Sequence, residues 1–243
     1  MPDNSQGRQP HIIEQNQKDS LLLEKLGMLE RLAATIAHDV RNPLGTVNTS
    51  LFVIRTAIER NQPEKIEKAL NLAERNIKRC DSILTEFLNI TQIKELRIMP
   101  VNIDAWLKKI IEGLNLPQNI EILSALNCDH IFSIDPDQLG RAISNVVKNG
   151  SQAIKDASPA EMKITIESGT GDGSFFISVS DTGAGIPDEI GTRVFEPLFS
   201  ARLFGMGLGL TVAKEIVERH SGTIAIQSKA GAGTKVTFSI PVI

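Results

Sequence analysis

The sequence has little of several residue types that mark particular classes of protein. Its 243 residues include one Trp and no Tyr, so a platform on which nucleic-acid bases could stack is not expected. The formal net charge is −3 and no basic run is present, which argues against binding to a phosphate backbone. We therefore expect no nucleic-acid partner.

The two cysteines are too few for a disulfide framework. Cys80 and Cys128 form no CxxC pair, and a chain of this kind suits a reducing compartment. A signal peptide is lacking, as is an apolar run long enough to cross a bilayer. We expect the chain in the cytoplasm, either as a soluble protein or as the cytoplasmic part of a longer membrane protein, and no membrane contact is visible in it.

Gly and Pro are scarce in the first part of the chain and frequent in the second. This distribution and the local composition divide the chain into three segments. Residues 1–18 are polar and rich in Gln and Asn, which predicts a disordered lead-in. Residues 19–96 contain hardly any Gly or Pro and are predicted to be helical. Residues 97–243 alternate short strands, helices and Gly-rich turns. The pattern therefore predicts an α+β protein with a helical N-terminal domain.

The helical region carries apolar residues at alternating steps of four and three, as a coiled-coil seam requires. In a first helix these are Leu22, Leu26, Leu29, Ala33, Ile36, Val40, Leu44, Val47, Leu51, Ile54 and Ile58. After a turn at residues 61–63, they are Ile66, Leu70, Ala73, Ile77, Cys80, Leu84 and Phe87. A hairpin of two such helices buries this seam only by pairing with a second copy, which predicts a homodimeric four-helix bundle. A plain coiled-coil spacer remains the alternative.

The seam is interrupted once, between Ile36 and Leu44. Two steps of four follow each other there, a stutter that locally unwinds a supercoil. Pro43 lies inside the stutter. Its ring has no N–H for the Asp39 carbonyl and clashes with it, so a bend is expected.

His38 lies beside this interruption. At about 100° per residue it is some 200° around the helix from Ile36 and from Val40, so its side chain is predicted to face solvent. An exposed His is usually an ordinary surface residue. Here, however, Asp39 follows directly, and Asn42 lies one turn on, on the same face.

The segment Ala37-His38-Asp39-Val40-Arg41-Asn42-Pro43-Leu44 resembles the H-box of sensor histidine kinases. In that family the His attacks the γ-phosphate of ATP, and the adjacent acid holds the ring tautomer and accepts a proton. The polar residue four positions on places a water that hydrolyses the phosphorylated partner. The resemblance therefore implies His38 as phosphoacceptor, Asp39 as base and Asn42 as phosphatase residue. The Ala and Asp flanking the His resemble the nitrogen-regulation subgroup.

Residues 135–154 predict a helix with a separate polar stripe of Asn145, Asn149 and Gln152. A solvated face is the ordinary explanation, although Asn is unfavourable inside helices. The run from Asn145 to Ala153 resembles the N-box of the same family. There the second Asn, here Asn149, holds the Mg²⁺ that bridges the phosphates, an ion that takes oxygen ligands and few of them from protein. Gln152 and its neighbour stand where many members carry Lys-Tyr.

Apolar residues alternate along a predicted strand from Phe175 to Val179, and Asp181 continues the same row. A carboxylate there is costly unless it meets donors. The run Asp181-Thr182-Gly183-Ala184-Gly185-Ile186-Pro187 resembles the G1 box, in which the Asp accepts a hydrogen bond from the adenine amino group. An Asp-Gly turn that closes a strand is the alternative. The resemblance implies nucleotide contacts at Asp181, Gly183 and Gly185.

Two further segments complete the resemblance. Val194 to Ser200 resembles the F-box, with Phe195 and Phe199 spaced for one helical face. Gly205-Met206-Gly207-Leu208-Gly209-Leu210 resembles the G2 box, and a Gly-rich loop that opens a helix aims N–H groups at phosphate. The nucleotide-binding candidates here are Arg202, Gly205, Gly207, Leu208 and Gly209. His220 ends this helix, where a cation is favourable, and is interpreted as structural.

Five boxes in the family's order identify the chain as a member of the sensor histidine kinases. Membership implies a helical hairpin forming a dimeric four-helix bundle, followed by an α/β-sandwich ATP-binding domain of the gyrase, chaperone and histidine-kinase type. It also implies Mg²⁺- and ATP-dependent phosphorylation of His38, transfer to an Asp of a response regulator receiver domain, and phosphatase activity on that regulator. The alternatives are an ATPase or serine kinase of the same nucleotide fold, and an inactive dimeric scaffold that binds a regulator.

Overall fold

A computed structural model describes residues 9–91, 95–171, 173–197, 199 and 207–241 of the chain. Side chains are described for the same residues except 9–32, 86–91 and 192. The chain divides into two compact units, Met1–Asn89 and Ile90–Ile243. The boundary predicted after residue 96 therefore lies within the second unit.

The first unit consists of two long helices, α1 (Gln9–Glu59) and α2 (Pro63–Thr91). Asn61 adopts a positive φ of 53° in the turn between them, and Pro63 begins α2 as the sequence predicts. Helix α1 starts inside the segment 1–18 that was predicted to be disordered. Gln, Glu and Lys are good helix formers and Pro10 stands in the first turn, where a missing N–H does no harm, so a polar segment extends the helix.

The apolar seam is split between two faces of the hairpin. Of the predicted seam, Ile36 and Ala73 are buried within one copy, together with Ala57, Ala69 and Ile83 from outside the seam. Six other seam residues, spaced seven apart on each helix, are 46–63% exposed: Leu44, Leu51, Ile58, Leu70, Ile77 and Leu84. The hairpin leaves these seam positions exposed, as the sequence predicts, because two helices can bury only the side chains that lie between them.

Helix α1 continues through the buried Pro43. In the two turns that follow, the hydroxyls of Thr46, Thr49 and Ser50 donate to carbonyl oxygens four residues earlier, at 3.4, 3.0 and 2.9 Å. Such bonds weaken the regular backbone ladder and often accompany helix bending. The bend that the sequence predicts at Pro43 stays a prediction.

The second unit is built on a five-stranded sheet. Its elements are β1 (Met99–Asn102), α3 (Ile103–Glu112), β2 (Glu121–Leu126), β3 (Ile131–Ile134), α4 (Pro136–Ala157), β4 (Lys163–Gly171), β5 (Ser174–Asp181), a 3₁₀ helix (Gly191–Phe195), α5 (Gly209–Arg219), β6 (Thr223–Ser228) and β7 (Thr234–Pro241). The sheet order is β2-β4-β5-β7-β6, with β2 parallel to β4 and the other pairs antiparallel. Strands β1 and β3 form a separate antiparallel pair.

Helices α3, α4 and α5 cover one face of this sheet. In β5 the apolar residues Phe175, Ile177 and Val179 are buried and recur at every second position, as a strand with one core face requires. They form a single apolar core with residues of the helices, including Leu107, Ile143 and Ile216. The helical hairpin followed by an α/β sandwich confirms the predicted fold class.

One buried acid lies inside this core, away from the predicted site residues. Asp104 accepts hydrogen bonds from the backbone N–H of Cys128 at 2.9 Å and from the Ser168 hydroxyl at 2.6 Å. Burial, together with the charges of Asp104 and Asp129, raises the pKa of the Cys128 thiol to about 11. Cys128 is therefore a protonated core residue at neutral pH.

Candidate functional site

His38 stands on the exposed side of α1, as the periodicity predicts. Its side chain is 69% exposed, and its Nδ1 lies 3.3 Å from Oδ1 of Asp39. An ionised carboxylate can only accept a hydrogen bond, so an Nδ1–H that faces Asp39 leaves Nε2 as the outward ring nitrogen. Asn42, one turn further on, is also exposed. The first unit thus presents an exposed imidazole whose Nδ1 faces a carboxylate.

Two asparagines of α4 meet the start of α5 in the second unit. The Asn145 amide donates to the Gly209 carbonyl at 3.3 Å. A Cβ placed on Gly209 would lie 3.5 Å from Nδ2 and 3.8 Å from Oδ1 of Asn149. The polar stripe predicted on α4 therefore borders the N-terminus of α5 rather than open solvent.

Gln152, the third residue of that stripe, lies elsewhere. Its side-chain amide donates to Asp156 at 2.8 Å on the exposed side of α4. The residue after it, Ala153, faces the turn that follows β5. A Cβ on Gly183 would stand 2.6 Å from the Ala153 Cβ, so the pair tolerates no larger side chain. The turn after β5 therefore packs closely on α4 at Ala153.

Asp181 ends β5 beside α4. Its Oδ1 accepts the Gly183 N–H at 2.8 Å. A Cβ on Gly150 would lie 3.0 Å from the Asp181 Cβ and 3.3 Å from its Oδ2, so the carboxylate rests against the bare backbone of the helix. The glycines of this region therefore serve the contact between strand and helix.

Sequence reasoning missed the β6–β7 hairpin as part of this site. A Cβ on Gly233 would stand 1.9 Å from the Asp181 carbonyl oxygen, and one on Gly185 would stand 2.0 Å from the Lys229 carbonyl oxygen. Both glycines have a positive φ, 84° and 67°, which other residues rarely adopt. The available signal was the Gly231-Ala232-Gly233 run before a strand, which is typical of a tight turn.

Hydrogen bonds fasten the same hairpin to the loop after Asp181. The Gly231 N–H donates to the Ala184 carbonyl at 2.7 Å. The Ser228 hydroxyl accepts the Ile186 N–H and donates to the Gly233 carbonyl, both at 2.8 Å. The loop that carries Gly183 and Gly185 is thus held from α4 on one side and from the hairpin on the other.

The predicted helical face shared by Phe195 and Phe199 is wrong. The 3₁₀ helix ends at Phe195, and Glu196 is extended with φ −68° and ψ 137°. The residue before a proline is driven out of the helical region, and Pro197 follows Glu196. Phe195 is buried, and its carbonyl accepts the Thr211 hydroxyl at 3.2 Å. The segment therefore attaches to the first turn of α5 through Phe195.

The Gly-rich turn leads into α5 as the sequence predicts. Gly207 has a φ of 65°, and Leu208 is buried immediately before the helix begins at Gly209. These residues lie with Asn145 and Asn149, whereas Arg202 and Gly205 lie outside the described residues. The structure thus brings together the site residues that α4, β5 and the start of α5 contribute.

Comparison with known proteins agrees with both halves of this arrangement. A family model described as histidine kinase-, DNA gyrase B- and HSP90-like ATPase matches residues 134–243. A model described as the His Kinase A (phospho-acceptor) domain matches residues 28–96. The chain belongs to the sensor histidine kinases. It carries the two domains of a protein-histidine kinase in the order that the sequence motifs predict.

Curated histidine kinases align with nearly all of this chain. Sporulation kinase A of Bacillus subtilis is 29% identical over 95% of this chain and 38% of its own length. The sensor histidine kinase ZraS of Klebsiella oxytoca is 32% identical over 94% of this chain and 49% of its own length. This kinase chain thus spans about half, or less, of the length of these relatives.

Solved histidine-kinase structures share the fold. The histidine kinase ThkA, in complex with the response regulator TrrA, superposes with a TM-score of 0.71 at 23% identity, over 99% of this chain and 68% of that one. ShkA in complex with AMPPNP superposes with a TM-score of 0.60 at 22% identity, over 88% of this chain and 46% of that one. Within the described part of this kinase, no helix is both apolar enough and long enough to span a bilayer.

Proposed function

We propose that this chain phosphorylates itself on His38 from ATP and passes the phosphoryl group to an aspartate of a response regulator receiver domain. The observation that carries the proposal is the exposed His38 imidazole whose Nδ1 is turned to Asp39, within 3.3 Å. An exposed histidine alone has no need of this arrangement. A nucleophile that must be neutral and correctly tautomerised does need it.

The chemistry at His38 follows from that tautomer. The Nε2 lone pair forms a bond to the γ-phosphorus of ATP, while the bond between that phosphorus and the bridging oxygen breaks and ADP leaves. The ring would then carry a positive charge, and the proton on Nδ1 passes to Asp39. Because phosphoryl transfer demands little covalent work from the protein, positioning and electrostatics supply most of the rate.

The second unit fits an adenine nucleotide. Asp181 offers a carboxylate acceptor to the exocyclic amino group of adenine, held by Gly183 and bordered by Gly185. The α5 N-terminus, from Gly207 through Leu208 to Gly209, aims backbone N–H groups and the positive end of the helix dipole at phosphate. We propose Arg202 and Gly205 as further nucleotide contacts from the same region of sequence.

Asn149 fits a magnesium ligand. Its amide oxygen, an atom type that Mg²⁺ prefers, lies beside Gly209, which has no side chain to fill the neighbouring space. Asn145 is fixed on the Gly209 carbonyl and so keeps the start of α5 close to Asn149. When bound with ATP, Mg²⁺ supplies positive charge that offsets the charge on the phosphate oxygens.

We also propose that the chain acts as a homodimer. The exposed rows Leu44, Leu51, Ile58 on α1 and Leu70, Ile77, Leu84 on α2 have the seven-residue spacing of helices that pack in a bundle. A second copy is the partner that presents the matching surface, because the same two rows are repeated on it.

Asn42 is proposed to serve a phosphatase reaction on the regulator. It is exposed and one turn from His38 on the same face of α1, where its amide can orient a water. The similar histidine kinase ThkA was solved in complex with the response regulator TrrA, which supports a regulator as the partner. The nitrogen-regulation subgroup and a cytoplasmic location complete the proposal.

The decisive experiment is incubation with Mg-ATP followed by mass spectrometry under neutral conditions. We expect one phosphoryl group on the peptide that contains His38, lost in acid and stable in base. An acid-stable phosphate would favour a serine kinase of the same nucleotide fold. ATP binding without any phosphorylation or turnover would favour the inactive scaffold.

A further inference from the structure

His220 is a buried histidine that the proposed chemistry does not use. It lies at the C-terminal end of α5 and is 5% exposed. Its Nε2 accepts the backbone N–H of Asp135 at 3.0 Å, and its Nδ1 lies 2.8 Å from the Ile216 carbonyl oxygen. Because a carbonyl only accepts and an N–H only donates, the ring is neutral with its proton on Nδ1. His220 is therefore structural, as the sequence predicts, but as a neutral ring and not as a helix-capping cation.

The partner of His220 is itself held from several sides. Asp135 is 4% exposed and caps the start of α4, where its Oδ1 accepts the N–H groups of Asp137 and Gln138 at 3.1 and 3.0 Å. Its Oδ2 accepts the N–H of Arg97 at 2.8 Å. The Asp135 N–H is thus a rigid donor. Its hydrogen bond to His220 fixes the position of the ring relative to the first turn of α4.

Helices α4 and α5 are antiparallel neighbours with two such polar ties. One joins Asp135 to His220, and the other joins Asn145 to Gly209. At about 1.5 Å per residue, the ties are about 15 Å apart along α4 and about 16 Å apart along α5. The near-equal lengths mean that both ties are satisfied in a single register of the two helices.

Between the ties the helices contact each other through apolar side chains, among them Ile143, Val212 and Ile216, and Arg141 of α4 interacts with the charge of Glu215 in α5. Apolar packing is not directional, so it opposes separation of the helices more than small sliding or rotation. An N–H···N bond weakens steeply with angle and distance. The tie at His220 therefore sets the direction of α5, whose other end carries the Gly207–Gly209 turn.

We propose that His220, as the neutral Nδ1–H tautomer, is a positioning residue for nucleotide binding: it holds α5 against α4 so that Gly209 stays beside Asn149. This inference rests on the proposed nucleotide site but not on phosphorylation of His38. Removing the ring leaves the buried Asp135 N–H without its acceptor, and α5 loses this tie to α4.

The test compares two substitutions in the full chain. His220→Phe keeps the ring volume but neither hydrogen bond, and we expect the Kd for Mg-ADP and the KM for ATP to rise about tenfold, with a fall in kcat of less than about threefold. His220→Gln supplies an amide that can both accept and donate, so the same Kd should stay within about threefold of wild type. His130→Gln, at an exposed histidine, serves as the matched control and should change neither constant.

Nitrogen NMR of the histidine rings gives a second readout, because a purely space-filling role does not depend on the tautomer. We expect His220 in the wild-type chain to show a protonated Nδ1 and an unprotonated Nε2. An imidazolium or the opposite tautomer would overturn the proposal. An unchanged Kd in a folded His220→Phe, or equal weakening by Phe and Gln, would also overturn it.

If His220→Phe does not fold, His220→Gln and the tautomer decide the question. Binding of Mg-ADP requires no phosphoryl transfer. A wild-type chain that binds Mg-ADP but never phosphorylates His38 would therefore reject the proposed function and leave this inference standing.

Discussion

Gly233 lies against the backbone of Asp181, the carboxylate proposed to bind adenine. A Cβ on Gly233 would stand 1.9 Å from the Asp181 carbonyl oxygen, closer than any real contact. Two residues earlier in the same turn, Gly231 has a similar φ, 76° against 84°, and a Cβ there would meet nothing within 4 Å. The two glycines thus have a similar φ, but only at Gly233 would a side chain clash with Asp181.

Gly233→Ala is expected to weaken nucleotide binding, because the methyl group forces the hairpin away from Asp181 and shifts the carboxylate. Gly231→Ala suffers the same backbone strain, roughly 1 kcal/mol, without the clash. Titration with Mg-ADP should give a Kd at least about tenfold higher for Gly233→Ala than for Gly231→Ala. Equal Kd values would show that the contact does not position Asp181.

His38→Gln removes the Nε2 nucleophile and leaves the second unit unchanged. We expect this variant to bind Mg-ADP with wild-type affinity and to take up no label from γ-labelled ATP. Filter binding after incubation with labelled ATP measures the uptake, and ADP titration of the same preparation controls for folding. Label that persists in the variant would reject His38 as the phosphoacceptor.

Asp181→Asn replaces a charged acceptor by an amide at the adenine position. Loss of one charge-assisted hydrogen bond costs roughly 1.5–3 kcal/mol, so the KM for ATP should rise tenfold or more. Asp188→Asn removes the same charge at an exposed position a few residues further along and should leave KM unchanged. Normal autophosphorylation kinetics in Asp181→Asn would mean that adenine binds elsewhere.

Leu51→Glu is expected to dissociate the homodimer, because it places a charge in the middle of the proposed interface, where burial of an unpaired charge is costly. Thr49→Glu adds the same charge about 160° around α1, at another exposed position. Light scattering during gel filtration should give the mass of a monomer for Leu51→Glu and of a dimer for Thr49→Glu. If both variants were dimers, the dimer interface would lie on another face of the hairpin.

Ionisation of the Cys128 thiol is expected to lower the free energy of unfolding at alkaline pH. Its pKa is raised from 9.0 to about 11 by burial and by two nearby carboxylates, so the folded state resists ionisation that the unfolded state accepts. The stabilisation is complete below pH 9 and is lost as the pH rises to about 11, at most about 3 kcal/mol in all.

Denaturant unfolding, followed by the fluorescence of Trp106 in the second unit, measures this loss at pH values across that range. The fall in unfolding free energy should be smaller in Cys128→Ala, which has no thiol to ionise, than in wild type. Cys80→Ala, at the other cysteine, should keep the wild-type dependence. The same slope in all three proteins would contradict a buried, protonated Cys128.

Much of the site was predictable because its signals are local. The exposure of His38 follows from the angle between neighbouring helix positions, and the place of Asp181 follows from the two-residue period of a strand. The helix predicted from residue 135 begins at Pro136. The Gly-rich turn before α5 was recognisable from its own residues.

The features that were not predicted are contacts between residues far apart in the sequence. The periodicity of a single helix or strand does not predict such contacts. Which apolar side chains are buried inside the hairpin, and which stay exposed, depends on how α2 packs on α1. Phe195 and Phe199 do not share a helical face because the helix ends at Phe195, before Pro197. The contact of Gly233 with Asp181 arises from strand register, since Asp181 pairs with Thr234 across β5 and β7.

The sequence by itself determined most elements of this kinase, the exposed imidazole and the types of residue in the proposed nucleotide site, since those depend on neighbours within a few turns of chain. Only the tertiary structure decided that His220 is neutral, because its charge depends on an N–H donated by Asp135, a residue 85 positions away in the chain. A hydrogen bond of fixed direction between two helices is a property of their packing.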